Sequence, residues 1–189
     1  MSSVLLKSWT VDEYHRMIAA GIVAGGDRLE LLDGQIIQMN PQLPPHAATT
    51  QRAARYLDRL LEEVAYVRMQ LPVTLRPNSE PEPDIAVVRI DPNEYSDRHP
   101  AASDILLLIE VADSTLISDR QTKARIYAKT EIADYWILDV NRREVLIFRE
   151  PAPDGYQQLM TLPANAAIAP LAFPDIPIPL TQLFLQSAG

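Results

Sequence analysis

No cysteine occurs anywhere in the 189 residues, which excludes a disulfide framework and a thiolate metal site. Long apolar runs are missing as well. The longest last a handful of residues, far short of the roughly 20 needed to cross a bilayer. The opening residues, Met1-Ser2-Ser3-Val4-Leu5-Leu6-Lys7, lack the charged head and extended apolar stretch of a secretion signal. A cytoplasmic chain with no membrane span is therefore expected. Positive charge is the next deficit. Lys and Arg number 17 against 25 Asp and Glu, a formal net charge of -8. Because each phosphate contact needs a local Lys or Arg, a surface that coats nucleic acid over a broad area is excluded, although a local basic cleft is not. No internal repeat and no low-complexity segment is present.

What is there is core-forming material. The apolar share is 47%, and the length suits one domain over residues 1–189. Thr10-Val11-Asp12-Glu13 has capping-box spacing, with Trp9 and Tyr14 at the two positions of a hydrophobic staple, so a short helix begins near residue 11. Gly21 and Gly25-Gly26 end it. Arg28 to Met39 reads as two short strands around Asp33-Gly34, a tight-turn dipeptide, with Glu30 on the first strand. Ala53, Leu57, Leu60, Leu61 and Val64 recur at helical spacing and predict a helix over 46–64, with Arg52, Arg55 and Arg59 on another side. Strands follow at 66–76, 84–89 and 105–111, the last almost uninterruptedly apolar, as in a strand covered on both faces. Ser118-Asp119-Arg120-Gln121 repeats the capping-box spacing and opens a helix to about Thr130. A buried strand at 135–140 has a hairpin partner at 144–149. Pro163, Pro170, Pro174, Pro177 and Pro179 then predict edge strands and loops, with a short helix near 180–185. The expected organisation is an α/β core at about 46–140, an N-terminal helix and hairpin at 10–40, and a C-terminal strand extension at 141–189.

Two acidic residues sit badly in this pattern. Asp84 lies in Glu82-Pro83-Asp84-Ile85-Ala86-Val87-Val88, and Glu110 interrupts Leu106-Leu107-Leu108-Ile109-Glu110-Val111. Carboxylates are rarely fully buried, so such residues must be paired, exposed at strand ends or bound to a cation. If the two strands pair antiparallel, the start of one lies beside the end of the other and Asp84 meets Glu110. Alternation agrees: Asp84, Ala86 and Val88 share one face, as do Leu106, Leu108 and Glu110. Adjacent like charges need a shared proton or a divalent cation, and oxygen ligands suit Mg²⁺ or Mn²⁺.

The order helix, three strands, helix, strand, with Pro83-Asp84 on the second strand and Glu110-Val111-Ala112 on the third, resembles the restriction-endonuclease-like PD-(D/E)XK superfamily. Four segments resemble, more narrowly, its Uma-two family of predicted endonucleases. They are Arg28-Leu29-Glu30-Leu31-Leu32-Asp33-Gly34, Glu80-Pro81-Glu82-Pro83-Asp84, Ile109-Glu110-Val111-Ala112-Asp113-Ser114 and Asp119-Arg120-Gln121-Thr122-Lys123. With Tyr135-Trp136-Ile137, the likeness spans about residues 10–150. It implies a mixed sheet flanked by helices, and Asp84 and Glu110 as metal ligands. Ala112 stands where the superfamily has its catalytic lysine. The family pattern moves the basic group to the following helix, where Lys123 fits. By the same likeness Glu30 is a further metal ligand or an acceptor for metal-bound water, His46 a phosphate or water contact, and Gln70 a weaker candidate. The implied chemistry is Mg²⁺- or Mn²⁺-assisted hydrolysis of a phosphodiester, in DNA more readily than RNA. The likeness and the apolar, proline-rich C-terminal segment imply a homodimer.

Each residue also has a structural alternative. Asp84 after Pro83 could cap a turn, Lys123 could be a solvated helix lysine, His46 could be a satisfied core histidine, and Glu30 could pair with Arg28. His15 and His99 have no nameable partner and are expected at the surface, as are Arg52, Arg55 and Arg59. Three functions follow: a metal-dependent endonuclease, a catalytically idle relative serving as a binding or assembly module, and a metal-dependent hydrolase of a small substrate.

Overall fold

The Thr10 hydroxyl accepts the Glu13 N–H at 3.2 Å and the Glu13 carboxylate accepts the Thr10 N–H at 2.9 Å, closing the capping box that opens helix α1, Val11–Ala19. The computed structural model of the chain describes residues 6–24 and 26–186. Met1–Leu5, most of the stretch read for a secretion signal, and Gly25, read as part of the helix stop, lie outside the described residues. Strands β1, Leu29–Leu32, and β2, Gln35–Gln38, form the expected antiparallel hairpin. Its turn places Asp33 at φ 46° and Gly34 at φ 79°, the left-handed pair that matches strand twist. A side chain at position 34 would collide with the Ser8 hydroxyl, so glycine is required twice over.

Helix α2, Pro44–Leu61, starts two residues before the expected 46 because Pro44 presets the first helical turn. It stops at Leu61, whose carbonyl accepts from both Val64 and Ala65 and turns the chain. Strand β3 is only Tyr66–Met69, not the expected 66–76. Gln70 takes φ 53° and breaks the ladder, and the chain beyond it makes only single bridges, such as Leu75 to Ser79. Strands β4, Ile85–Val88, and β5, Ile105–Ala112, fall where expected.

The next helix differs from expectation. It begins at Leu116, not Ser118, and Ser118 already has helical backbone with no side-chain cap. Helix α3, Leu116–Ser118, runs into a π-turn, Asp119–Lys123, and on into helix α4, Ala124–Lys129. Strand β6, Asp134–Asp139, is followed by a long hairpin, β7, Glu144–Ala152, with β8, Gly155–Pro163, extending well beyond the expected 144–149. The end of the chain holds two short strands, β9, Ala167–Ile168, and β10, Ile178–Pro179, and a single 3₁₀ turn at Leu180–Gln182 in place of a helix to 185.

Among the described residues the main sheet has six strands in the order β3-β4-β5-β6-β7-β8, with β5 and β6 parallel and the other neighbours antiparallel. This is a mixed α/β sheet with helices on both faces. On one face Ala53, Leu57 and Leu61 of α2 and Leu183 and Phe184 pack on Ile85, Val87, Leu107, Ile109, Val111 and Trp136. On the other, Ala124, Ile126 and Tyr127 of α4 cover Ala86, Leu108, Ala112, Tyr135 and Ile137. Both faces of β5 are thus buried, which explains its continuous apolar run. Among the described residues no helix is long and apolar enough to cross a membrane.

Candidate active site

β4 and β5 pair antiparallel with Ile85 opposite Ile109 and Ala86 opposite Leu108. One step further, at the end of the ladder, Asp84 comes opposite Glu110, on the sheet face that α4 covers. Both are buried, at 7% and 3% exposure. Each carboxylate is tied to the backbone of the other's strand. Asp84 Oδ2 accepts the Val111 N–H at 2.8 Å, and Glu110 Oε2 accepts the Asp84 N–H at 3.3 Å. This cross-brace fixes two carboxyl groups side by side using peptide dipoles, a device with no trace in the residue pattern.

Cations and donors close over the pair. His46, on the first turn of α2, puts Nε2 3.0 Å from Asp84 Oδ2, and the Gln70 amide donates to Asp84 Oδ1 at 3.2 Å. Gln70 therefore reaches the site from just past the end of β3, its left-handed backbone turning the chain there. His46 is neither a core histidine nor free. Burial works to lower its pKa, but the Asp84 carboxylate outweighs burial and raises it. Burial likewise works to raise Asp84, and His46, the Val111 N–H and Lys123 more than offset it, leaving the carboxyl below its ordinary value.

Lys123 is not a solvated helix lysine. Its ammonium lies 3.0 Å from Glu110 Oε1 and 3.7 Å from Glu30 Oε2. Burial opposes its charge, but Glu110, Glu30 and Asp119 together hold it above the ordinary lysine value. Glu30, expected to have Arg28 as its alternative partner, instead faces Lys123 and accepts the Glu82 N–H at 3.3 Å. Five of the six residues singled out from the sequence, Glu30, His46, Asp84, Glu110 and Lys123, line one cleft of about 510 Å³, and the weaker candidate Gln70 joins them only through its bond to Asp84.

Two residues of the site were missed. Tyr127 is fully buried and donates its hydroxyl to Glu110 Oε1 at 2.8 Å. Asp119, 3% exposed, accepts the Thr115 hydroxyl at 2.6 Å and lines the cleft. The signal was available: Asp119, Lys123 and Tyr127 recur every four residues, which aligns them on one helical face. The π-turn serves that face, burying Asp119 and Lys123 while Arg120, Gln121 and Thr122 stay exposed. π-turns of this kind often mark functional sites.

Acid outnumbers base in the cleft. Glu30, Glu82, Asp84, Glu110, Asp113 and Asp119 line it against Arg28, His46 and Lys123. Burial pushes the Glu110 carboxyl up to about 8; Lys123 opposes that rise, and the neighbouring Asp84, Asp119 and Glu30 reinforce it. Asp119 and Glu82 are raised as well, mainly by burial. Such an excess of carboxylate is relieved by a hard divalent cation. Among the described residues no three His, Asp or Glu side chains converge into a ready-made ion cage. The donor set fits a smaller demand: Asp84 Oδ1 and Glu110 Oε2 each carry one long hydrogen bond and keep a lone pair free. A two-carboxylate set suits Mg²⁺ or Mn²⁺, which retain waters and take further oxygens from a phosphate, and does not suit a four-ligand zinc site.

His15, expected to lack a partner, has one. Its Nε2 lies 2.8 Å from both oxygens of the buried Glu80, which also accepts the Thr74 hydroxyl at 2.7 Å. His15 and His99 line a separate cleft, of about 960 Å³, where β4 leaves and β5 enters the sheet. That is the end of these strands remote from Asp84 and Glu110.

The family model described as "Uma2: Putative restriction endonuclease" matches residues 11–181. Among solved structures, that of "a putative nuclease belonging to DUF820" from Anabaena variabilis ATCC 29413 is similar at a TM-score of 0.70 and 18% identity, covering 93% of this chain and 97% of that one. At that identity the likeness establishes a shared fold, the helix-flanked mixed sheet described above. No curated protein matches the chain.

Proposed function

We propose, from the premise that this chain belongs to the Uma2 family, described as "Putative restriction endonuclease", that it is a metal-dependent endonuclease hydrolysing phosphodiester bonds in DNA. The observation that carries the proposal is the cross-braced pair Asp84 and Glu110 at one sheet end, with the Lys123 ammonium held between Glu110 and Glu30. Asp84 and Glu110 would hold Mg²⁺ or Mn²⁺. When bound, such an ion supplies an activated water and offsets charge on the phosphate.

The remaining work falls to the chain itself. Lys123 takes the part of the lysine absent at Ala112. Its ammonium is buried and charged at neutral pH, with three N–H donors of which Glu110 accepts one at 3.0 Å, while Glu30 at 3.7 Å is an ion-pair partner beyond hydrogen-bond distance. A donor not bonded to Glu110 is available to a phosphate oxygen, and a fixed positive charge in a dry site stabilises the negative charge that develops during hydrolysis. Tyr127 pins the oxygen of Glu110 that faces Lys123, leaving the other for an ion. His46 and Gln70 orient Asp84, one at each of its oxygens. Glu30, 3.7 Å from the Lys123 ammonium, holds it in place and would add a further carboxylate for the ion.

Ala112 supports one other reading, a catalytically idle member that keeps the fold for binding or assembly. Nicking of supercoiled plasmid in Mg²⁺ or Mn²⁺ separates the two. Wild type should nick, and Asp84→Asn and Glu110→Gln should each lose about a hundredfold or more. Equal nicking by all three proteins would overturn the endonuclease proposal.

A further inference from the structure

Resting on the endonuclease proposal above, we infer that the site takes single-stranded nucleic acid, with the bases at the cut splayed onto an aliphatic rim. Three large apolar side chains stand at the mouth of the acidic cleft: Ile37 on β2, Leu43 at the cap of α2 and Ile117 on the first turn of α3. They are 41%, 54% and 73% exposed. The three come from separate elements, and all line the cleft that holds Asp84 and Glu110. Exposed apolar groups gathered around a polar opening mark a binding surface.

The occupant follows from charge and size. Holding a duplex by its backbone requires several Lys and Arg along the groove. Arg28 and Lys123 are the Lys and Arg among the described residues lining this cleft, and Lys123 already faces two carboxylates. Arg52, Arg55 and Arg59 offer no help, because they line a different cleft with Gln182 and Leu185. The substrate must therefore gain affinity from its bases. Bases offer apolar faces only when unstacked, and Ile, Leu and Met are side chains that insert between or pack against them. A volume of about 510 Å³ is of the small-ligand class, suited to a nucleotide or two threading past the carboxylates rather than to a duplex.

The test measures binding by fluorescence anisotropy, with cleavage read on gels from the same samples. Its probes are a labelled strand of about 12 nucleotides and the same sequence as a perfect duplex, in Mg²⁺, across a range of salt. The strand should be bound and cut at least about tenfold better than the duplex. The salt dependence should be shallow, with a slope equivalent to about two phosphates or fewer. The double variant Leu43→Ser with Ile117→Ser, folded by circular dichroism, should lose at least about fivefold in strand affinity. Equal or tighter duplex binding, wild-type affinity in the double variant, or binding of neither probe would overturn the inference. So would a wild-type dimer that the double variant converts to monomer, because a second copy would then cover the rim. Strand-selective binding without any cleavage would instead sink the endonuclease proposal and leave the surface assignment standing.

Discussion

Glu110 accepts hydrogen bonds from the Lys123 ammonium, the Tyr127 hydroxyl and the Asp84 backbone, and burial still pushes its carboxyl from the ordinary 4.5 up to about 8. The consequence for stability has a definite sign. Between those two values the folded chain keeps a proton that the unfolded chain has released, so the free energy of unfolding falls as pH rises from about 4.5 to 8. The fall is of the order of 1 kcal/mol per pH unit. Urea midpoints at pH 5, 6.5 and 8 in metal-free buffer should decline for wild type, and Glu110→Gln should remove most of that decline. Parallel curves for the two proteins would mean that Glu110 is ionised throughout. At this scale the sequence was most informative about misfits: a carboxylate in an apolar strand stands out whatever surrounds it. Tyr127 alone did not stand out, since a tyrosine on an apolar helical face is ordinary core; its four-residue spacing from Lys123 places it on the site's face, and the position of Glu110 gives its hydroxyl a purpose.

The elements whose local chemistry is self-contained were legible. Thr10 and Glu13 cap α1 with their own side chains, and Asp33-Gly34 makes its turn by backbone preference alone. The π-turn was not legible, and Ser118-Asp119-Arg120-Gln121 misled. Its spacing imitates a cap, but the chain is already helical there and the Asp119 side chain turns inward to the Thr115 hydroxyl. Packing of Asp119 and Lys123 into the cleft, not capping, sets the geometry of this stretch. Deleting Gln121, exposed in the middle of the π-turn, should return the segment to ordinary helical spacing, put Asp119 and Lys123 three residues apart instead of four, and change how the two side chains enter the cleft. Helical content by circular dichroism should persist while plasmid nicking drops at least about tenfold. Full activity in the deletion would show that the π-turn has no part in holding Lys123. Similarly, the extent of β3 could not be read, because Gln70 ends it through a left-handed backbone that its residue type does not announce.

Across the whole molecule, sheet order decides which acidic residues matter. Asp134 is as buried as Glu110, but Arg149, the Trp136 indole N–H and the Leu171 N–H all donate to it. Its oxygens are used up in tying β6 to β7 and to the segment after β9. Asp84 and Glu110 differ in that their donors leave one lone pair on each, facing a cleft where acid outnumbers base. The antiparallel register of β4 and β5 brings them together, and it was legible because both strands are short, apolar and joined by one loop. The cross-brace to Val111 and Asp84, and the closing of α3 and α4 over the pair, depend on the tertiary fold and were not. Titration calorimetry with Mn²⁺ on the wild-type chain, Asp84→Asn and Glu110→Gln reads the pair directly, without any substrate. A single Mn²⁺ should bind the wild type, and each variant should weaken it by about tenfold or more. Undiminished Mn²⁺ binding in both variants would contradict the assignment of Asp84 and Glu110 as the ion-holding pair.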